Sequence, residues 1–253
     1  MNIYMSGKKR ANHSIIKMAD TSESHRIQKQ DLFDLPMKVL LVGKSQLSGK
    51  TNALGNLILR PYNKQDAAQE MYNGNFIGRN IYVVCPSTQL DPKWASIIDS
   101  KEIPPGNIYH SYDEEELNAL YDRLEANFHR DPEHTLVILD DCSFSGALKE
   151  KLHGALARLF CNGRHLLIST IVTAQKYSDI FTTARENCTG AMFFGCSLKQ
   201  AELIYYDHGT CDKRKFLDEF RKCTREKHTF LVVNYSNDAD RRFQDCNFNA
   251  IDL

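Results

Sequence analysis

The sequence predicts a three-layer α/β fold: a mostly parallel sheet with helices on both faces. Three observations lead there. Short β-branched runs alternate with segments of helical spacing along the chain. The first run, at 37–42, climbs into a loop that closes on Gly49-Lys50-Thr51 at the head of a helix. A later run, 135–139, ends in two consecutive carboxylates, Asp140 and Asp141. No internal repeat, heptad run or low-complexity tract breaks the pattern. Residues 35–253 are therefore read as one domain, preceded by a polar arm over 1–34 that is read as partly disordered and largely solvated.

Composition narrows the class. With 253 residues and 42% hydrophobic content, the chain can bury one large core. Lys+Arg and Asp+Glu both total 32, a net charge of zero, so bulk attraction to nucleic acid is not the design and any DNA contact must use local clusters. The basic run Lys199, Lys213, Arg214, Lys215, Arg221, Lys222 and Arg225 alternates with acids and reads as a solvated helical face. No apolar run approaches the roughly 20 residues of a membrane helix. The start of the chain lacks the apolar core of a secretory signal, and the cysteine usage is that expected of an intracellular protein. Eight cysteines, none in a Cys-x-x-Cys pair, are expected to be reduced, buried thiols. A zinc site from His208, Cys211 and Cys223 fits no standard spacing.

Taken in order, 37–42 reads as a buried strand after Pro36, and 52–59 as a helix with Leu54, Leu57 and Ile58 on one face. A polar stretch spans 63–78. The run 81–85 is a buried strand bounded by Asn80 and Pro86. Turn chemistry at Pro104-Pro105-Gly106 leads into a short strand over 107–112. Asp113 caps a helix whose first turn, Glu114-Glu115-Glu116, suits the positive end of the helix dipole. Further strands are expected at 135–139, 165–174, 191–194 and 229–235, with helices over 147–160, 198–206 and around Phe216, Leu217 and Phe220. The tail after Asn237 is polar.

The stretch 43–52, Gly43, Lys44, Ser45, Gln46, Leu47, Ser48, Gly49, Lys50, Thr51 and Asn52, has the grammar of a phosphate-binding loop. In such a loop backbone N–H groups and the helix start cradle the phosphates, Lys50 neutralises them, and the Thr51 hydroxyl ligates Mg²⁺. The usual spacing leaves four residues between the glycines. Here Gly43 stands one residue earlier, so the loop is longer or glycine-poor. Two acids closing a buried run are costly unless they meet a cation. At the carboxyl end of a parallel strand they point into the ligand crevice, where Asp140 would hold Mg²⁺ through water and Asp141 would orient or deprotonate the attacking water. Gln175, closing the run 165–174, would sense the terminal phosphate through that water.

Together these residues resemble a known group. The set is Gly-Lys-Ser-x-x-Ser-Gly-Lys-Thr at 43–51, Leu-Val-Ile-Leu-Asp-Asp at 136–141, Gly163-Arg164-His165 leading into the run that ends at Gln175, and Arg185-Glu186-Asn187 before the next strand. It is similar to the genome-packaging ATPases of poxviruses, virophages and nucleocytoplasmic large DNA viruses, within the FtsK/HerA superfamily of P-loop NTPases. The likeness spans 37–235. It implies a RecA-like fold, ATP and Mg²⁺ as cofactors, a homo-oligomeric ring (pentamer or hexamer), and double-stranded DNA driven into a preformed capsid through portal or vertex proteins. It also implies a place in the host cytoplasm, viral factory or virion. By resemblance, Lys50, Asp141, Gln175 and Arg164 are catalytic, and Thr51 and Asp140 serve the metal. Arg164 would reach into the neighbouring subunit's site, with Arg185 in reserve. Many superfamily members carry Glu where Asp141 stands. Two alternatives remain open: a cellular or plasmid DNA-transfer ATPase or helicase of the same superfamily, and a nucleotide-binding assembly protein that does not hydrolyse.

Overall fold

The computed structural model describes residues 25–44, 48–59, 71–142, 148 and 154–253. Among them eight strands form one sheet: β1 (Lys38–Val42), β2 (Ile81–Val84), β3 (Ile108–Tyr109), β4 (Thr135–Leu139), β5 (Ile168–Ala174), β6 (Gly190–Phe194), β7 (Phe230–Asn234) and β8 (Phe243–Gln244). The order across the sheet is β3-β2-β4-β5-β1-β6-β7-β8. The run from β3 to β6 is parallel. β7 pairs antiparallel with β6, and β8 antiparallel with β7.

Every residue of β1, β2, β4, β5, β6 and β7 is buried, as expected of strands covered on both faces. Alternate residues feed two separate cores. Leu40 and Val42 join Val137, Leu139 and Val172 on one face, while Val39 and Leu41 join Ile81, Val83 and Ile138 on the other. Helices α1 (Lys50–Ile58) and α2 (Pro92–Lys101) cover the second face through Leu54, Leu57, Trp94 and Ile97. Helices α3 (Glu114–Arg130), α4 (Ala155–Asn162), α5 (Thr182–Asn187), α6 (Leu198–His208) and α7 (Lys213–Cys223) cover the first. That is the three-layer α/β architecture read from the sequence. Truncating one such side chain, Leu40→Ala for example, costs about 2–5 kcal/mol.

Local chemistry sets the element ends. Asp113 accepts from the backbone N–H of Glu115 and Glu116, both at 2.9 Å, and so starts α3. Glu114 reaches further and takes the N–H of Ala155 at 2.5 Å, capping α4 from another element. That contact, with Gly154 in an extended conformation, makes α4 begin at Ala155 rather than within 147–154. Leu148 lies in a turn, and the remainder of 143–153 lies outside the described residues. The strand read from 165 begins at Ile168, because Gly163–Leu166 forms a 3₁₀ turn and Leu167 adopts φ 56.

Five segments differ from the sequence reading. α2 was not anticipated, although Asp91 caps it by accepting from Lys93 N–H at 3.0 Å and Pro92 occupies its first turn. α5 was likewise unread. In the polar stretch 63–78, Tyr72 and Phe76 are fully buried. The tail past Asn237 supplies β8, with Phe243 and Gln244 buried against β7. Residues 25–34, read as the end of a polar arm, dock on the body of the chain. Ile27 bridges Leu35, Arg26 pairs with Asp34 at 2.6 Å, and the fully buried Phe33 ring occupies the space a side chain at Gly190 would need.

Candidate active site at the carboxyl edge of the sheet

The strand order decides where the candidate residues meet. β5 stands between β1 and β4, so the loop after β1 and the acids after β4 lie two strand spacings apart, roughly 10 Å. That is room for phosphates and a hydrated cation. Val42 pairs with Ala174 and Leu139 with Val172, which brings Gly43, Gln175 and Asp140 to one edge. A cleft of about 420 Å³ opens there, lined among others by Ser48, Gly49, Lys50, Thr51, Asn52, Asp140 and Asp141. Its size is that of a small-ligand site.

The described part of the loop is built by short-range constraints. Gly43 donates its N–H to Ala174 O at 3.0 Å, and a side chain there would collide with Ser48 and Phe194. Ser48 Oγ donates to Lys44 O at 2.7 Å. Gly49 holds φ 82, ψ 23, a left-handed geometry that favours glycine, and turns the chain into α1. No side chain among the described residues caps that helix start, so its first N–H groups remain available to an anion. Lys50 Nζ donates to Gly43 O at 2.7 Å, closing the loop on itself while leaving further donor capacity. Burial lowers the Lys50 pKa, and Asp140 and Asp141 pull it back up. Ser45, Gln46 and Leu47 lie outside the described residues.

The two acids have different environments. Asp140 is 3% exposed, and both its oxygens are engaged: Oδ1 by Thr173 Oγ1 at 2.6 Å, Oδ2 by the Trp94 indole N–H at 2.8 Å. The Cys85 thiol sits 3.7 Å from Oδ2, and burial first, then Asp140, pushes that thiol up to about 12. Asp141 is half-buried with φ 55, an uncommon conformation for a residue with a side chain. Its N–H meets Thr173 Oγ1 at 3.1 Å, and its Oδ1 accepts from Gln175 Nε2 at 3.1 Å. Asp141 and Gln175 are thus paired directly across β4 and β5.

This donor set fits a magnesium–triphosphate complex. Among the described residues no cluster of three or more His, Cys, Asp or Glu is assembled for a metal. Mg²⁺ does not need one, since it usually keeps several waters and binds through substrate phosphates plus one or two protein groups. Thr51 at the helix start and Asp140, acting through water because its oxygens are already bonded, would be those groups.

The remaining expectations have equally definite positions. Arg164 is exposed in the 3₁₀ turn before β5, close enough to Lys38 to help lower that lysine's pKa after burial itself. The seven residues of β5, roughly 20 Å, separate it from Gln175. It therefore cannot enter its own cleft. Arg185 is held in place by Asp207 at 2.7 Å and Thr182 at 3.2 Å, with its guanidinium over the Tyr177 ring. In the basic run, Lys213, Lys215, Arg221 and Lys222 each face an acid: Glu202, Asp252, Asp218 and Glu219. All eight cysteines are free thiols, but only Cys85, Cys142 and Cys188 are buried as expected; Cys196, Cys211, Cys223 and Cys246 are half-buried and Cys161, on α4, is exposed. His208 has both ring nitrogens engaged, by Tyr177 Oη at 2.8 Å and Tyr235 Oη at 2.7 Å, so neither is left for a metal.

Several site residues escaped the sequence reading. Trp94, the one tryptophan of the chain, carried a signal in the Asp91-Pro92 helix start just before it. Thr173 was indistinguishable from any β-branched strand residue. Ser87, Lys93 and His228 line the cleft from loops and helix starts that only the sheet order brings near.

Comparison with known proteins follows the same lines. No curated protein sequence matches the chain significantly. Among solved structures, the genome packaging NTPase B204 from Sulfolobus turreted icosahedral virus 2 in complex with ATP-gammaS superposes with a TM-score of 0.56 at 14% identity, covering 83% of this chain and 96% of that one. Its complex with AMP gives 0.57 at 15%, with the same coverage. B204 from Sulfolobus turreted icosahedral virus, described as a DNA-packaging ATPase, gives 0.51 at 16%, covering 79% and 93%. At these identities the likeness establishes the fold, that of a P-loop NTPase. No helix among the described residues is long and apolar enough to cross a membrane. The family profile described as Poxvirus A32 protein matches residues 111–252, which hold the paired acids, Arg164 and Gln175 but begin after the phosphate loop. With more than half its length in that match, the chain belongs to the poxvirus A32 protein family.

Proposed function

We propose that this protein is an ATPase that drives double-stranded DNA into a viral capsid. One observation carries the reading: the Gly49-Lys50-Thr51 helix start and a pair of carboxylates, distant in sequence, line one cleft on the sheet edge where ligands bind in open α/β sheets. The family match and the packaging NTPases among the structural neighbours support the same biological role.

In this reading the N–H groups at the start of α1 and the Lys50 ammonium bind the β- and γ-phosphates of ATP. Mg²⁺, when bound, would neutralise charge on the phosphate oxygens. Thr173 and Trp94 hold the Asp140 carboxylate in one orientation, so that its approach to the metal is fixed before substrate arrives. Asp141 takes a proton from, or orients, the water that attacks the γ-phosphorus, and Gln175 fixes the rotamer of Asp141 while reading the same water. Arg164, remote from its own cleft, would serve a neighbour's in a ring, where a guanidinium on the γ-phosphate contributes about 10³–10⁵ in rate. DNA, a ring of five or six copies, capsid portal or vertex proteins and an intracellular site of action belong to the same proposal. So do residues 35–253 as the motor domain.

The deciding experiment is ATP turnover by the purified protein with and without blunt duplex DNA, across assembly states. Turnover stimulated by duplex, and lost in Lys50→Ala and Asp141→Asn, is expected. Tight ATP binding with no phosphate release in any state, with or without DNA, would instead identify a non-hydrolysing assembly protein.

A further inference from the structure

The cleft has a second wall, built by a residue far from the loop and the acids in sequence. β7 runs antiparallel to β6, with Phe230 opposite Phe194, so its first residues emerge at the same edge as the phosphate loop. His228, two residues before β7, lines the cleft together with Ser48–Asn52 and the paired acids. Its backbone stands at φ 68, a conformation that costs energy for a residue with a side chain and tends to mark ligand sites. The ring lies directly over the turn of the loop: a Cβ on Gly49 would sit 2.8 Å from His228 Nδ1. Position 49 must therefore be glycine for two reasons, its own φ of 82 and the imidazole above it.

The sheet order gives this wall a direction. The acids and Gln175 follow β4 and β5 on one flank of β1, whereas His228 precedes β7 on the other. Groups that act on the terminal phosphate must lie beside it, which sets that phosphate on the β4–β5 flank. The opposite half of the nucleotide, ribose and base, then leaves the loop toward β6 and β7, where the His228 imidazole stands beside Gly49. We infer that His228 binds the nucleoside half of the substrate, stacking on its base. This rests on the nucleotide-binding reading above and adds to it a specificity residue from the C-terminal part of the chain.

The test compares equilibrium binding of Mg-ADP and of Mg-tripolyphosphate, which has phosphates but no nucleoside, to the full-length wild type, His228→Asn and His228→Phe. Asparagine tolerates the left-handed backbone and removes the ring, while phenylalanine keeps an aromatic face. His228→Asn should weaken ADP binding about tenfold, the scale of one base–aromatic stack, and leave tripolyphosphate binding unchanged. His228→Phe should retain most of the ADP affinity. Equal ADP affinity in wild type and His228→Asn overturns the inference. So does a parallel loss of tripolyphosphate binding, or His228→Phe as weak as His228→Asn; each leaves the nucleotide reading intact. A wild type that binds neither probe overturns both. Photolabelling of the wild type with 8-azido-ADP needs no variant to fold: label on the 226–231 segment is expected, and label confined to other segments overturns the inference.

Discussion

Trp94 donates its indole N–H to Asp140 Oδ2 at 2.8 Å, from a fully buried position on α2 to a carboxylate on a different element. The first turn of the same helix lines the cleft through Asp91, Pro92 and Lys93, so the cleft wall and the acid proposed to face the metal are joined by one side chain. Trp94→Phe keeps an aromatic ring but removes the donor together with part of the buried indole. It is expected to lower stability by about 1–3 kcal/mol and to raise the Mg²⁺ concentration needed for half-maximal turnover. Thermal melts and Mg²⁺ titrations check the two effects separately; a lower Tm with unchanged Mg²⁺ dependence would leave Trp94 a packing residue. As the single tryptophan, it should also change its emission when Mg-ATP is added and revert on chelation with EDTA.

Asp141 combines a strained backbone with the charge proposed for catalysis, and two substitutions separate them. Asn is tolerated at φ 55, so Asp141→Asn should melt near the wild type yet lose roughly 10²–10⁴ in turnover, the scale of a missing general base. Asp141→Ala should lose the same activity and melt lower by an additional 1 kcal/mol or so, because alanine gains nothing locally in the left-handed region. Matching melting curves for the two variants would show that the backbone there is unstrained.

Arg164 and Arg185 should fail in different ways. Arg164 is exposed and remote from its own cleft, so Arg164→Ala should fold normally and lose turnover only where subunits meet. Mixing it with Lys50→Ala protein should restore part of the activity, since each partner supplies what the other lacks. Arg185→Ala removes a mostly buried guanidinium, 13% exposed, from Asp207 and should cost about 2–4 kcal/mol of stability. Activity recovered in mixtures with Arg185→Ala but not Arg164→Ala would reverse the assignment.

His208 predicts an acid limb of stability. Burial holds its pKa down at about 4, with Asp207 raising it and Arg185 lowering it, against an ordinary value of 6.5. Between those values the unfolded chain binds a proton that the folded chain does not. The contribution is therefore whole above pH 6.5 and drains away as pH falls toward 4, by up to about 3 kcal/mol. Urea midpoints measured from pH 7.5 to 4.5 should fall along that limb, and His208→Phe should flatten it while starting from a lower midpoint, having lost the bonds to Tyr177 and Tyr235.

Much of this was legible one residue at a time. The all-buried runs of β1, β4 and β5, the Asp113 cap, the Gly49-Lys50-Thr51 helix start and the acids closing β4 are local in origin, because side-chain periodicity and capping operate within a few residues. α4 and β8 were misjudged for the complementary reason. The α4 start depends on Glu114, forty-one residues earlier, and β8 exists only because β7 offers it an edge.

By itself the sequence singled out the groups proposed to touch a triphosphate: a lysine and a threonine at the head of a helix, and two acids and a glutamine closing strands. Only the tertiary structure decided what surrounds them. Inserting β5 between β1 and β4 opened the space between loop and acids, docking α2 put Trp94 on Asp140, and the antiparallel return of β7 laid His228 over Gly49. Those two side-chain pairings join residues 46 and 179 positions apart. No local pattern encodes them, because they follow from how the strands are ordered in the sheet and how the helices close over it.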